Sequence, residues 1–175
     1  LYVRLLGEAV ERLKALQRGE TPPAPMSSRP AVTLDLPITA YLPDAYIPDL
    51  NLRLAVYQRL SQAQDDAEAS AIEQELRDRF GQLPPAARNL LWVLRLRLMA
   101  TSAGVGAVQT ENEAMVIRML PGRALDRSAL ARRLPAHSTV LSHQVRLDRD
   151  TLGEGWREGL VRALDAIASA AVVAA

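Results

Sequence analysis

Along the first eighteen residues, Leu1, Leu5, Leu6, Ala9, Val10, Leu13 and Leu16 recur at helical intervals, with Arg4, Glu8, Glu11, Arg12 and Lys14 between them. A turn of 3.6 residues brings such positions onto one face, so the pattern predicts an amphipathic leading helix over 1–18. Residues 19–31 then bring Pro22, Pro23, Pro25 and Pro30 with little that is apolar, the composition of a linker. The folded domain is expected over 32–175. It opens on Val32, Leu34 and Leu36 alternating with Thr33 and Asp35, a strand that Pro37, lacking an N–H, closes or confines to a sheet edge.

Helical periodicity returns after two Pro-Asp steps, Pro43-Asp44 and Pro48-Asp49, which favour turns and helix starts. A helix is predicted from Asp49 or Leu50 to Gln62, with Leu50, Leu54, Tyr57 and Leu60 as its apolar stripe. The next opens at Asp65 and Asp66, where carboxylates meet the positive end of the helix dipole, and stops at Gly81. Pro84 and Pro85 suit the first turn of a third helix running to about Ala103, apolar on most sides and therefore expected to be central.

Beyond it, Val105–Thr110 and Ala114–Leu120 flank Glu111-Asn112-Glu113 and predict a hairpin. Asp126 or Ser128 is expected to cap a short helix ending at Leu134, His137–Asp148 to add one more strand, and Trp156 to start a last helix reaching Ala170. The sum is an α+β fold, helix-dominated with a small, mostly antiparallel sheet.

Composition narrows the chemistry. With 49% apolar and 23% charged residues the chain is an ordinary globular domain rather than a disordered or membrane-embedded one. The absence of cysteine removes disulfides, cysteine zinc sites and thiol catalysis, and fits the reducing cytoplasm. No membrane association is expected, because the most apolar stretch, Ile167 to Ala175, is far too short to cross a bilayer. Opening on Leu1 rather than methionine, the chain reads as a piece of a longer protein.

A phosphate-binding loop needs glycines before a lysine, and the sole lysine, Lys14, lies inside a predicted helix. His137 and His143 are the only histidines and lack a carboxylate set beside them, so no metal is expected. Ser138, His143 and Asp148 assemble into a triad only on paper, without a nucleophile elbow. Neither catalysis nor a cofactor is expected.

The net charge of +1 is unevenly spread along the chain. Residues 49–81 carry seven carboxylates against four arginines, and residues 88–149 ten arginines against four carboxylates, a pattern that predicts a two-sided molecule. Arg95, Arg97, Arg123, Arg127, Arg132 and Arg133 suit phosphates or an acidic protein surface. A pI near 8.4 with one phenylalanine and two tryptophans falls short of the basic, aromatic composition of nucleic-acid modules, so direct nucleic-acid binding is not expected.

In the acidic helix, Ala69, Ile72, Leu76 and Phe80 share one face, the side expected to meet the core. Glu75 and Asp78 share a flank, and Glu75 stands four residues before Arg79, the favoured order for an ion pair. Asp78 faces the negative end of its own helix dipole, softened by Arg77 and Arg79, and a locally disfavoured charge is often kept for a partner. Glu75, Asp78 and Arg79 are thus the candidate partner-binding residues.

The stretch Tyr46–Leu60 (YIPDLNLRLAVYQRL), then Glu75–Leu91 (ELRDRFGQLPPAARNLL), then LRLMATSAGV, resembles the C-terminal domain of transcription-repair coupling factors. The likeness covers Leu36–Val105 most firmly. It implies a parent protein that recognises RNA polymerase stalled at a lesion, displaces it by ATP-driven translocation on DNA, and recruits the excision-repair protein UvrA. It implies a motor and a polymerase-binding domain elsewhere in that parent. It also implies that this domain clasps the UvrB-like N-terminal module of the same protein and masks its UvrA-binding surface, with Glu75 and Asp78 meeting basic residues of the module. The alternative is direct contact with DNA or polymerase through the arginines of residues 88–149.

Overall fold

A computed structural model describes residues 32–173, and the expected leading helix and proline-rich linker lie outside them. The described chain forms two compact units, Ile38–Leu98 and a second made of residues 32–37 with those from Met99 onward.

The first unit is built on helices α1 (Leu50–Gln62), α2 (Asp66–Phe80) and most of α3 (Pro85–Ser102). Each of the first two starts where an aspartate satisfies an orphan backbone N–H. The Asp49 carboxylate accepts from Leu52 N at 2.9 Å and that of Asp65 from Glu68 N at 2.8 Å. Such a cap is worth about 1 kcal/mol. Glu68 reaches back to Gln64 N at 2.8 Å, closing the same turn from the other side. The core gathers Leu42, Ile47, Val56, Leu60, Ala69, Ile72, Leu76, Leu83, Leu90, Leu91 and Leu94.

The expected stripe of α1 is right in Tyr57 and Leu60 and wrong in Leu50. Val56 and Leu60 are buried with Leu52 and Tyr57 packed beside them, whereas Leu50 is 58% exposed. Two apolar arcs compete on this helix, Leu50/Leu54 and Leu52/Val56/Leu60, and tertiary packing selects the second. Arg97 of α3 ties off the helix: its guanidinium donates to the carbonyls of Leu60, Ser61 and Ala63 at 3.1, 3.2 and 3.1 Å, which would otherwise be orphaned at the C-terminus. The burial this requires lowers the Arg97 pKa.

The second unit holds a five-stranded sheet of β1 (Thr33–Asp35), β2 (Val105–Glu111), β3 (Ala114–Met119), β5 (Thr139–Val140) and β6 (Gln144–Asp148), in the order β1-β2-β3-β6-β5. Only β1–β2 is parallel, and β1 takes the edge that Pro37 allows. A separate ribbon pairs β4 (Arg123–Leu125) with β7 (Ala171–Val173), neither of which the periodicity announces. The β2–β3 hairpin turns on two residues, Asn112 and Glu113, both at positive φ (44° and 62°), the backbone twist that suits tight hairpins. Gly106 sits at the register shift of β2, where a Cβ would lie 3.1 Å from the Leu120 side chain, a tight contact that leucine would have to yield to.

Helix α4 (Arg127–Leu130), capped by Asp126, is shorter than expected and gives way to turns through Arg133. Pro135 withholds helical geometry from Leu134. The single strand expected over 137–148 is two, β5 and β6, folded back across Leu141–His143 with Leu141 N donating to Gln144 O at 2.8 Å. After α5 (Arg149–Leu152), helix α6 (Trp156–Ala170) buries Leu160, Ala163, Leu164 and Ile167 completely. The fold is α+β and helix-dominated, with a small mixed sheet.

Candidate functional site

The C-terminal turn of α2 is where the sequence motifs converge. Ile47 is wholly buried and its carbonyl accepts from Arg53 at 2.7 Å, which fixes the chain just before α1. That places the neighbouring Tyr46 hydroxyl 2.9 Å from Leu76 O and 3.0 Å from Gly81 O, a donor shared between two carbonyls of the helix end. The Tyr46 ring stands edge-on to Phe80 with centroids 5.7 Å apart, and the Arg79 guanidinium lies 5.3 Å from the Phe80 centroid. Gly81 closes the turn at φ 79°, its N–H donating to Arg77 O at 2.9 Å. Burial raises the Tyr46 pKa, opposed by the nearby Arg77 charge.

On this locked helix the acids differ in what they have left to offer. Both oxygens of Glu75 are engaged: Oε2 accepts from Arg59 of α1 at 2.6 Å and Oε1 from Arg79 at 2.9 Å. Hydrogen bonds from Arg59 and Arg79 hold its carboxyl below the ordinary glutamate range. Glu73 is likewise engaged by Arg77 and by Arg95, the latter at 2.9 Å. Arg95 also bonds Asp66 at 2.8 Å and Ser70 at 3.2 Å. Burial works against the Arg95 charge, but its carboxylate hydrogen bonds outweigh it and raise the pKa.

Asp78 differs. It is exposed, Oδ1 accepts from Gln74 Nε2 at 2.8 Å, and among the described residues no cation lies within ion-pair distance of it. The softening expected from Arg77 and Arg79 does not take the form of an ion pair, because those two side chains turn to Glu73 and Glu75. The structure thus brings Glu75 and Arg79 together as a pair and leaves Asp78 beside them with an oxygen to spare. Sequence reasoning missed Arg59 and Tyr46. Arg59 meets Glu75 across sixteen residues, a separation only the helix hairpin makes short. Tyr46 carried a signal, an aromatic residue beside a Pro-Asp step, that periodicity does not weigh.

Elsewhere the arginine-rich stretch is partly spent on the fold. Arg95 and Arg97 are engaged as above, and Arg118 bonds Gln109 at 2.6 Å and Glu111 at 2.7 Å. Arg127 donates to the Ser142 hydroxyl at 3.2 Å, and Arg132 and Arg133 are exposed. Charge does not segregate by unit. Residues 38–98 hold seven arginines and eight carboxylates, and the described part of the other unit nine of each, so neither unit carries a marked net charge.

Ser138 donates to Pro135 O at 2.6 Å and His143 Nδ1 lies 2.9 Å from Arg123 O, so the paper triad is not a relay. Among the described residues no three metal-ligating side chains converge, and no helix is long and apolar enough to cross a membrane.

Comparison with known proteins gives a consistent picture. The family model described as TRCF domain matches residues 36–130, more than half of the chain. The transcription-repair-coupling factor of Mycobacterium tuberculosis (strain CDC 1551 / Oshkosh) is 42% identical over 125 residues, covering 69% of this chain and 10% of that protein. That of Escherichia coli (strain K12) is 38% identical over 117 residues, covering 67% and 10%. A crystal structure of the C-terminal domain of transcription-repair coupling factor superposes with a TM-score of 0.65 at 19% identity, covering 82% of this chain and 96% of that one. The chain spans about a tenth of the length of the curated relatives it matches.

Proposed function

Because the chain belongs to the TRCF domain family, we propose that it is a non-catalytic regulatory domain of a cytoplasmic transcription-repair coupling factor. In this reading it clasps the UvrB-like N-terminal module of the same protein and masks the surface through which that module binds UvrA. The motor that drives the parent along DNA lies outside this chain. The observation that carries the reading is the C-terminal turn of α2, held by Tyr46 and Phe80 and presenting Asp78 with an unspent oxygen. A preformed charged surface of this kind contributes specificity and slows release more than it adds net affinity.

Regulation follows by competitive occlusion. A clasp favoured by about 3 kcal/mol leaves the open form at roughly 1%, low enough to repress and weak enough to reverse. Engagement of stalled polymerase or DNA by other parts of the parent releases the clasp when it favours the open state, and the coupling is reciprocal.

Charge reversal tests the reading. In the full-length protein, Glu75→Arg with Asp78→Arg is expected to raise both UvrA affinity and the ATPase rate. Unchanged UvrA affinity, with circular dichroism intact, contradicts the assignment of these residues.

A further inference from the structure

We propose that the second unit carries a separate docking groove beside α4, for an acidic peptide segment with one bulky apolar side chain at its centre. The groove lies within residues 127–140 and makes no use of α2 or of the clasp.

It holds about 370 Å³, at the small end of the roughly 300–1,000 Å³ that ligand sites occupy. Ala131, Leu134, Pro135, Ala136 and Val140 make most of its lining apolar, and Arg127, His137 and Ser138 complete it. Hydrogen bonds fix this wall in advance. Leu130, wholly buried, anchors α4, and its carbonyl accepts from Arg133 N at 2.9 Å and from Leu134 N at 3.1 Å. The Ser138 hydroxyl donates to Pro135 O at 2.6 Å, closing the turn in which His137 takes a left-handed φ of 60°. A residue other than glycine adopts that conformation at a cost, and keeps it where the surrounding bonds hold it there. A wall so held loses little freedom when it binds.

Charge defines the occupant. From Ala114 to Leu147 the chain has six arginines and a single carboxylate, Asp126. That carboxylate turns to its own helix, accepting from Ser128 N at 2.9 Å and Ala129 N at 3.1 Å. In the first unit Arg59, Arg77, Arg79 and Arg95 each hold a carboxylate. Arg127, Arg132 and Arg133 are exposed, and among the described residues no carboxylate lies within ion-pair distance of them. Arg127 uses one of its donors on the Ser142 hydroxyl, and a guanidinium has five. Arg132 and Arg133 stand between two lining residues, Ala131 and Leu134. Guanidiniums left unpaired around an apolar groove fit carboxylates set around an apolar side chain.

Nucleic acid fits less well. Single strands stack on aromatic rings and duplexes meet broad basic surfaces. Residues 114–147 contain no aromatic side chain, and the unit that holds them has no marked net charge. Attraction is therefore decided at the groove itself, over a short range.

The probes are the peptides acetyl-EEXEE-amide with leucine, phenylalanine or tryptophan at X. They are titrated into the isotope-labelled 175-residue chain at about 50 mM salt, where exposed charges are only weakly screened. At least one is expected to shift the backbone amides of Arg127 and of residues 134–140, with a Kd on the order of 1 mM or below. Alanine at X, or glutamine in place of the glutamates, is expected to weaken binding at least about fivefold. Arg132→Glu with Arg133→Glu, both exposed, is expected to weaken it at least about fivefold with circular dichroism unchanged, and Asp78→Arg to leave it as in wild type. No shift up to about 10 mM of all three peptides, a Kd of that order being too weak to serve recognition, overturns the groove. So do equal binding of either control peptide and indifference to the double arginine reversal. A short DNA duplex that binds the same residues more tightly than every peptide overturns it in favour of nucleic acid.

Discussion

At the scale of single residues, the side chains that make this family recognisable serve mostly to build the helix end rather than to meet a partner. Tyr46, Ile47, Asp49, Phe80 and Gly81 are spent on shared hydroxyl bonds, a buried anchor, a cap, a ring contact and a left-handed turn. Removing the shared donor in Tyr46→Phe deletes its hydrogen bonds to two carbonyls at the end of α2 and is expected to cost about 1 kcal/mol in urea unfolding, with the fold retained.

The tyrosine and the glutamate also set opposite pH limits. Burial raises the Tyr46 pKa, so its share of stability is complete below the ordinary tyrosine range and is lost as pH rises through the folded value. The Glu75 pKa is lowered, so its pairing contributes above the ordinary glutamate range and is lost as pH falls through the folded value. Urea midpoints measured across pH are expected to fall at both extremes. In Tyr46→Phe the alkaline loss is reduced, and in Glu75→Gln the acid loss is.

At the scale of elements, α1, α2, α3 and α6 were legible to within a residue or two, the first three because their caps are written in the chain. Asp49, Asp65, Pro85 and Gly81 each stand at a boundary that the structure respects. What periodicity could not decide was which of two apolar arcs of α1 turns inward, since both satisfy a helical period. The packing gives a sharp contrast. Leu60→Ala is expected to cost about 2–5 kcal/mol and Leu50→Ala less than about 0.5 kcal/mol in the same unfolding assay. Short strands were the least legible elements. β4, β5 and β7 have two or three residues each, too few for alternation to rise above chance, and β4 and β7 pair across nearly fifty residues of sequence.

At the scale of the whole molecule, the charge imbalance along the sequence does not carry over to the units, because Arg88, Arg95 and Arg97 fall in the same unit as the acidic stretch. Arg95 and Arg97 belong to the basic half of the sequence, yet they serve the carboxylates of α2 and the carbonyls that end α1. The candidate site was legible in part, as an acidic flank with one charge its own helix does not favour. The bond from Arg59 to Glu75 was not, because no local pattern encodes a contact between neighbouring helices.

The occlusion reading also fixes a strength in trans. If tethering supplies an effective concentration of about 1 mM, a clasp closed about 99% of the time corresponds to a Kd on the order of 10 µM between separated parts. The most direct measurement is therefore UvrA binding to the isolated UvrB-like module, titrated with this chain to about 100 µM. Wild-type chain is expected to compete UvrA away and the Asp78→Arg chain to compete much less. UvrA binding that is indifferent to the wild-type chain, or a complex holding module, chain and UvrA together, would contradict occlusion.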